Sequence, residues 1–144
     1  RLDEIYSAVK TPFEIRSGSE KVTRRFFKIC NNDRESFTGL YKSLTEQGIC
    51  KGHQCIAYGL YMRDNGIGLS EGLAVYGYSI CSAIVTNCVK LVPLSQLAGQ
   101  KILGESFELI SSASEEALFT DISGAGFDLR AMQHERLYSR QYMS

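Results

Sequence analysis

The residues best suited to chemistry lie in one short segment, where Cys50, His53 and Cys55 fall within six positions. Thiolates and an imidazole are ligands for soft or borderline metal ions. The spacing matches neither the two-residue cysteine pairs of zinc sites nor a pair of histidines on one helix face. A fourth ligand would have to come from elsewhere in the chain. The pattern therefore leaves two interpretations open: a metal site, or two cysteines with packing roles beside a structural histidine.

Other nucleophiles and motifs give no stronger signal. Cys81 and Cys88 lie seven positions apart in an apolar stretch, where free cysteines usually pack in a core. His134 is the only other histidine, and no Cys–His or Ser–His hydrolase pattern accompanies it. Gly66-Ile67-Gly68 lacks the trailing Lys-Ser/Thr of a nucleotide-binding loop. The sequence therefore favours a protein that is not an enzyme.

Helices must position these residues, because apolar side chains recur at three- and four-residue spacings and no run alternates with period two. The chain contains only two prolines. The pattern predicts an all-α fold, a compact helical domain of about six helices with short connections. The expected helices are 2–9, 14–30, one with Asp33 as N-cap, 53–63, 70–92, and one with Pro93 in its first turn.

Composition limits the class of protein. The 144 residues include 16 Lys+Arg and 16 Asp+Glu, and 44% are hydrophobic, which suffices for the core of one domain or part of one. Zero net charge argues against nucleic-acid binding, which usually uses a basic face. Five cysteines at irregular spacings do not form a disulfide scaffold and indicate reduced thiols in the cytoplasm.

One segment has the length of a membrane span. Residues 72–89 carry no charge over 18 positions. Several polar side chains dilute their apolar character, and no cluster of basic residues flanks them. We expect a buried core helix and no membrane association.

The two ends of the chain differ from its middle. The chain opens inside a predicted helix without a starting Met or signal peptide, so we expect the N-terminal portion to be missing. The glycines of residues 123–126 predict a flexible joint between a helical domain, 1–126, and a docking tail, 127–144. The tail is amphipathic, which is typical of docking segments. A final helix folded back on its own domain is the alternative.

Two signatures carry a resemblance to a known family. The first is Lys90-Leu91-Val92-Pro93-Leu94-Ser95-Gln96, followed by Gly99-Gln100. The second is the closing Met132-Gln133-His134-Glu135 with Tyr138-Ser139-Arg140. Together, and with this spacing, they resemble the urease accessory protein UreF family. The resemblance covers the whole chain, as the C-terminal part of a family member.

The resemblance implies a cytoplasmic, homodimeric, all-α protein without catalytic activity or an intrinsic cofactor. Members bind the accessory protein UreD, called UreH in some bacteria, and recruit the GTPase UreG. That assembly delivers nickel to apo-urease in a GTP-dependent step, so the partner proteins are expected to handle the nickel and the GTP. The alternative function is a nickel-carrying protein that uses Cys50, His53 and Cys55.

The resemblance also implies roles for individual residues. Those on or beside the GTPase-facing surface are Lys90, Pro93 and Gln100. Those that dock on the UreD-type partner lie in the tail and are Met132, His134, Glu135, Tyr138, Ser139 and Arg140. We expect this tail to be mobile in the free protein and to become ordered on the partner.

Overall fold

The structure, a computed structural model, describes residues 1–30, 35–115 and 125–137. Over these ranges the chain forms seven α-helices and no β-strand. They are α1 (Leu2–Val9), α2 (Phe13–Ile29), α3 (Phe37–Glu46), α4 (Gln54–Asp64), α5 (Leu69–Leu91), α6 (Gln96–Glu115) and α7 (Ala125–His134). The predicted all-α fold is confirmed.

The chain divides into two compact units. The first contains α1 to α4 together with α7, and the second contains α5 and α6. The predicted boundary between residues 126 and 127 stays a prediction, and α7 runs through those positions.

The core of the first unit lies where α2 and α3 pack against α4. Phe27, Tyr41 and Ala57 are buried there. Phe26 packs at the edge of this core, with its ring centroid 4.5 Å from that of Tyr58. Burying each large apolar side chain stabilises the unit by about 1.5–3 kcal/mol, so these contacts hold three helices together.

Two side chains define the start of α3. The Ser36 hydroxyl accepts a hydrogen bond from the N–H three residues further on, at 3.0 Å. The Asp64 carboxylate accepts from the N–H groups of Phe37 and Thr38, at 3.1 and 2.8 Å. Both interactions satisfy N–H groups that have no partner within the helix. The prediction of Asp33 as N-cap is therefore wrong, because Ser36 holds that position; Asp33 itself lies outside the described residues.

The second unit is a helical hairpin. α5 and α6 approach closely at Gly99, where an added Cβ would lie 2.8 Å from Cγ2 of Val89. Leu103 of α6 is buried, and the rings of Tyr78 and Phe107 meet edge to face with centroids 6.3 Å apart. A small residue at the crossing and apolar contacts along it therefore hold the pair together.

Helix α5 is not the buried core helix that the sequence predicted. Gly72 is its only buried residue, and Ile84 is 57% exposed. Its unit supplies only α6 as a packing partner, and one helix cannot surround another. Among the described residues α5 alone has the length and apolarity of a membrane span, with a mean hydropathy of 1.4 over 18 residues.

The connection between α5 and α6 also differs from the expectation. Pro93 does not lie in the first turn of a helix, because α6 begins at Gln96. The Ser95 hydroxyl accepts a hydrogen bond from the N–H of Ala98 at 3.1 Å and so caps the helix. Proline is common at the first position of a helix, but here the Ser95 cap, two residues beyond Pro93, sets the start of α6.

Candidate functional site

A buried polar cluster joins α1 to α3 and to the loop before α4. The Asp3 carboxylate accepts hydrogen bonds from the Tyr41 hydroxyl at 2.6 Å and from the N–H groups of Lys51 and Gly52 at 2.7 and 3.1 Å. The Tyr41 oxygen in turn accepts from the N–H of His53 at 2.8 Å. This cluster fixes the backbone of the segment in which the candidate metal ligands lie.

The surroundings set the protonation of the two central groups. Burial acts to raise the pKa of Asp3, but the hydrogen bonds from Tyr41 and from the loop N–H groups outweigh it, so this pKa is lowered. Burial and the hydrogen bond to Asp3 raise the pKa of Tyr41. Near neutral pH the cluster therefore contains one carboxylate that accepts from a neutral phenol.

His53 is fully buried at the start of α4. Its Nε2 lies 2.7 Å from the Ser7 hydroxyl, which donates its own proton to the carbonyl of Asp3 at 2.8 Å. Nδ1 on the other side of the ring is buried without a hydrogen-bond partner. Burial lowers the pKa of His53 and keeps the ring neutral.

The two cysteines of this segment are half-buried and reduced. Burial raises the pKa of both thiols, and the Asp3 carboxylate raises that of Cys50 further. Metals bind the thiolate, so these surroundings weaken Cys50 and Cys55 as ligands. Over the ranges that the structure describes, no three His, Cys, Asp or Glu side chains are arranged to hold a metal ion. The metal site at Cys50, His53 and Cys55 stays a prediction.

Four residues of the first signature, Lys90, Gln96, Gly99 and Gln100, line one cleft between α5 and α6. The cleft has a volume of about 380 Å³. The other residues of its lining are Ser82, Val85, Thr86, Val89 and Leu103. Lys90 lies in the last turn of α5, where the helix dipole favours a cation. Pro93 lies in the connection between the two helices.

The second signature meets α2. His134 Nδ1 lies 2.6 Å from Oε2 of Glu14, and His134 and Glu135 line a groove of about 420 Å³. The α2 residues of this groove are Phe13, Glu14, Ser17, Gly18 and Lys21. The helical part of the tail is therefore folded back on its own unit, as the alternative in the sequence analysis expects. The mobility of the tail in the free protein stays a prediction. Gly126, expected in a flexible joint, lies inside α7.

The remaining tail residues divide into two groups. Met132 is partly exposed on α7. Tyr138, Ser139 and Arg140 lie outside the described residues. Glu14 and Asp3 make the contacts described above, yet no motif marks either position, since nothing near them in sequence indicates a partner.

Comparison with known proteins decides the family. A family model described as UreF matches residues 1–106, well over half of the chain.

The chain belongs to the UreF family. It is similar to the urease accessory protein UreF of Streptococcus thermophilus, with 30% identity over 148 residues, which cover 99% of this chain and 62% of the relative. UreF of Actinobacillus pleuropneumoniae serotype 3 is 33% identical over 150 residues, 100% of this chain and 66% of the relative. UreF of Paenarthrobacter aurescens is 32% identical over 149 residues, 99% of this chain and 67% of the relative. The chain thus spans about two thirds of the length of these curated UreF proteins.

Both signatures fall within these similarities. The UreF family match includes the cleft of Lys90 and Gln100, and it ends before α7. The pairwise similarities extend over nearly the whole chain and so include the tail. The resemblance predicted from the two signatures is confirmed at the level of the family.

Proposed function

We propose that this UreF-family chain is a non-catalytic, cytoplasmic adaptor that links a UreD/UreH-type accessory protein to a UreG-type GTPase during nickel insertion into apo-urease. The relatives are named urease accessory proteins, which supports a role in urease maturation. The observation that carries the proposal is that the two signatures belong to different units of the chain. An adaptor requires two such surfaces, since each must bind a different protein.

The first surface is the α5–α6 connection, which we propose faces the GTPase. Lys90 and Gln100 line its cleft. The apolar residues next to them in sequence, Leu91, Val92 and Leu97, are all exposed. A cation and amide groups beside exposed apolar side chains are typical of a protein-binding surface, in which apolar area supplies affinity and polar groups supply orientation.

The second surface is the tail, which we propose docks on the UreD-type protein. Phe127, Leu129 and Met132 of α7 are exposed although the helix contacts α2. Large apolar side chains of this kind are the usual anchors of an interface. We propose the same docking role for Tyr138, Ser139 and Arg140, which lie outside the described part of the chain.

We also propose that the chain forms a homodimer. The support is the apolar area of α5, where Val75, Ile80 and Ile84 are exposed in the single chain. A symmetric dimer, the commonest kind of oligomer, would cover such a surface with the same surface of a second copy. Sedimentation velocity tests this: a dimer is expected, and a monomer at every concentration would contradict it.

A nickel-carrying role is the second candidate, and one observation favours it. Nδ1 of His53 is buried without a hydrogen-bond partner, and a neutral imidazole nitrogen is a common metal ligand. The raised thiol pKa values of Cys50 and Cys55 weigh against it. Equilibrium dialysis discriminates: stoichiometric nickel binding that His53→Gln abolishes supports the carrier, whereas partner capture by the metal-free chain supports the adaptor.

Capture by each immobilised partner tests the adaptor proposal. The chain is applied as wild type, Lys90→Ala, Arg140→Ala and a form truncated after Asp128. Loss of one charged hydrogen-bonding group costs about 1.5–3 kcal/mol, which corresponds to a roughly 10- to 150-fold weaker complex. Lys90→Ala should lose the GTPase and keep the UreD-type protein, and the two tail variants should do the reverse.

Lys101→Ala is the matched control for Lys90→Ala. Lys101 is an exposed lysine on α6 whose ion pair, with Glu105, is local to that helix. Its removal should leave both captures unchanged. Equal recovery of both partners by all variants would refute the assignment of the two surfaces.

A further inference from the structure

Helix α2 carries a stripe of basic and apolar side chains on one exposed face. The basic stripe consists of Val22, Arg25, Lys28 and Ile29, and spacings of three and four residues place its members on the same side of the helix. All four side chains are exposed, Ile29 to 83%. Arg25 and Lys28 form no ion pair with any residue that the structure describes. The stripe therefore offers two cations and two apolar side chains to another molecule.

Helix α6 carries a stripe of the opposite charge. The acidic stripe consists of Ile102, Glu105, Glu108 and Leu109, and all four side chains are exposed. Glu108 forms no ion pair with a residue in the described ranges. Glu105 lies 3.8 Å from Lys101 of the same helix, and both side chains are largely exposed, so solvent screens this pair. Both carboxylates can therefore accept a cation from another molecule.

The two stripes match position by position. In each of them, apolar residues stand at i and i+7 and charged residues at i+3 and i+6, with cations in α2 and anions in α6. Two helices that pair along these stripes bring apolar side chains together and set each cation close to a carboxylate. Apolar area supplies the affinity of such a contact, and charge complementarity supplies its orientation.

The wider distribution of charge favours the same pairing. Residues 10–28 contain six basic and two acidic residues, whereas residues 102–129 contain six acidic residues and no basic one. The net charge of the chain is nonetheless zero, so no overall repulsion opposes the approach of a second copy. Two copies therefore attract each other where the basic block of one faces the acidic block of the other.

We infer that the basic stripe of one copy of this chain binds the acidic stripe of a second copy. In a two-fold dimer this contact occurs twice, because α2 of each copy meets α6 of the other. The inference rests on the proposed homodimer and adds a charged contact to the apolar one proposed for α5. A second copy is the occupant because it presents the matching spacing with the opposite charge.

Charge reversal on each stripe tests this inference without changing a signature residue. The first variant combines Arg25→Glu with Lys28→Glu, and the second combines Glu105→Lys with Glu108→Lys. Sedimentation velocity measures the dissociation constant of the dimer for wild type, for each variant alone and for an equimolar mixture of the two variants. Far-UV circular dichroism checks that each full chain remains helical.

Lys51→Glu combined with Arg130→Glu is the matched control for the first variant. Both residues are exposed, and both lie outside the two stripes. This control changes the net charge of the chain by the same amount as Arg25→Glu with Lys28→Glu. Its dimer should dissociate as the wild-type dimer does. An equal weakening in the control would assign the effect to net charge and overturn the inference.

Each variant alone should form a dimer at least about tenfold weaker than wild type, because like charges then face each other at both contacts. The mixture should restore association, since the mixed dimer has one wild-type contact and one contact with both charges exchanged. A mixture that stays monomeric would overturn the inference. An unchanged dimer for each variant alone would also overturn it and leave the homodimer intact. A wild-type chain that is monomeric at every concentration would refute the homodimer and the inference together.

Discussion

The hydroxyl of Tyr41 donates a 2.6 Å hydrogen bond to the carboxylate of Asp3, 38 positions earlier in the chain, and so ties α1 to α3. The apolar side chains of α1 do not replace this link, since Leu2 and Ile5 are exposed. The same Tyr41 oxygen accepts the N–H of His53. One phenol thus connects the first helix of the chain to the start of α4.

Tyr41→Phe should destabilise the first unit. The substitution leaves the N–H of His53 without its acceptor and removes one donor from the buried Asp3 carboxylate. Leaving buried polar groups unsatisfied costs about 1–3 kcal/mol. Urea unfolding followed by circular dichroism measures the loss.

Tyr78→Phe is the control for that substitution. Tyr78 is a partly exposed tyrosine whose ring contacts Phe107 at the edge. Tyr78→Phe also removes one hydroxyl, but it should change the free energy of unfolding by less than about 0.5 kcal/mol. An equal loss of free energy of unfolding in the two variants would mean that the hydrogen bonds of the Tyr41 hydroxyl do not stabilise the first unit.

Gly52→Ala should also destabilise the first unit. Gly52 has φ of +87°, and an added Cβ would lie 2.7 Å from Cγ2 of Thr45. The left-handed conformation alone costs a non-glycine residue roughly 1–2 kcal/mol, and the close contact adds to this.

Gly59→Ala in α4 provides the opposite case, because nothing lies within 4 Å of the added Cβ. There the substitution should stabilise the helix by about 0.5–1 kcal/mol. Thermal melts that shift in the same direction for both would contradict this account.

Acid should weaken the first unit in two steps. Burial lowers the pKa of His53, so the unfolded chain takes up a proton more readily as the pH falls through about 6.5. Stability is present above that pH and is lost as the pH falls toward the folded pKa. The pKa of Asp3 is lowered as well, because its hydrogen bonds outweigh burial, so a second loss begins below about pH 4.

Unfolding midpoints in urea between pH 8 and pH 5 measure the first step. A His134→Gln background leaves His53 as the only histidine in the chain. Adding His53→Gln to this background should abolish the fall of the urea midpoint between pH 8 and pH 5. An unchanged decline in the double variant would assign it to other groups.

Local signals in the sequence predict the helices well. The periodicity of α2 predicts 14–30, and the structure has Phe13–Ile29; for α4 the prediction is 53–63, and the helix is Gln54–Asp64. These boundaries depend on side chains within a few residues, which the sequence displays. The Pro93 prediction was wrong because a statistical preference does not reveal that Ser95 caps α6.

Contacts between distant positions could not be predicted in this way. Asp3 bonds to the N–H of Lys51, 48 positions away, and Glu14 meets His134 across 120 positions. No local pattern near these residues encodes such partners. The uncharged stretch 72–89 within α5 indicates that the helix favours an apolar environment. It does not indicate whether the same unit supplies that environment. The signatures around Lys90 and His134, by contrast, indicated the family without any knowledge of these contacts.

Because α5 is exposed, Ile84→Asp should not unfold the domain. Ile84 is 57% exposed, so its substitution should change the free energy of unfolding by less than about 0.5 kcal/mol in the single chain. Leu103→Ala is the contrasting case, because Leu103 is only 5% exposed and its truncation should cost about 2–5 kcal/mol. Thermal unfolding compares the two. A larger loss of stability for Ile84→Asp than for Leu103→Ala would mean that α5 is covered in solution, as the proposed homodimer requires. Sedimentation would then show whether a second copy of the chain covers it.

Sedimentation of the two partner proteins with and without this chain tests the adaptor role most directly. The UreD-type protein and the UreG-type GTPase are mixed with GTP in the absence of nickel, and the composition of the fastest boundary is determined. The account predicts that the GTPase sediments with the UreD-type protein only when the UreF-family chain is present, and that Lys90→Ala removes the GTPase alone from that boundary. Joint sedimentation without the chain, or a chain that binds the two proteins only in competition, would contradict it.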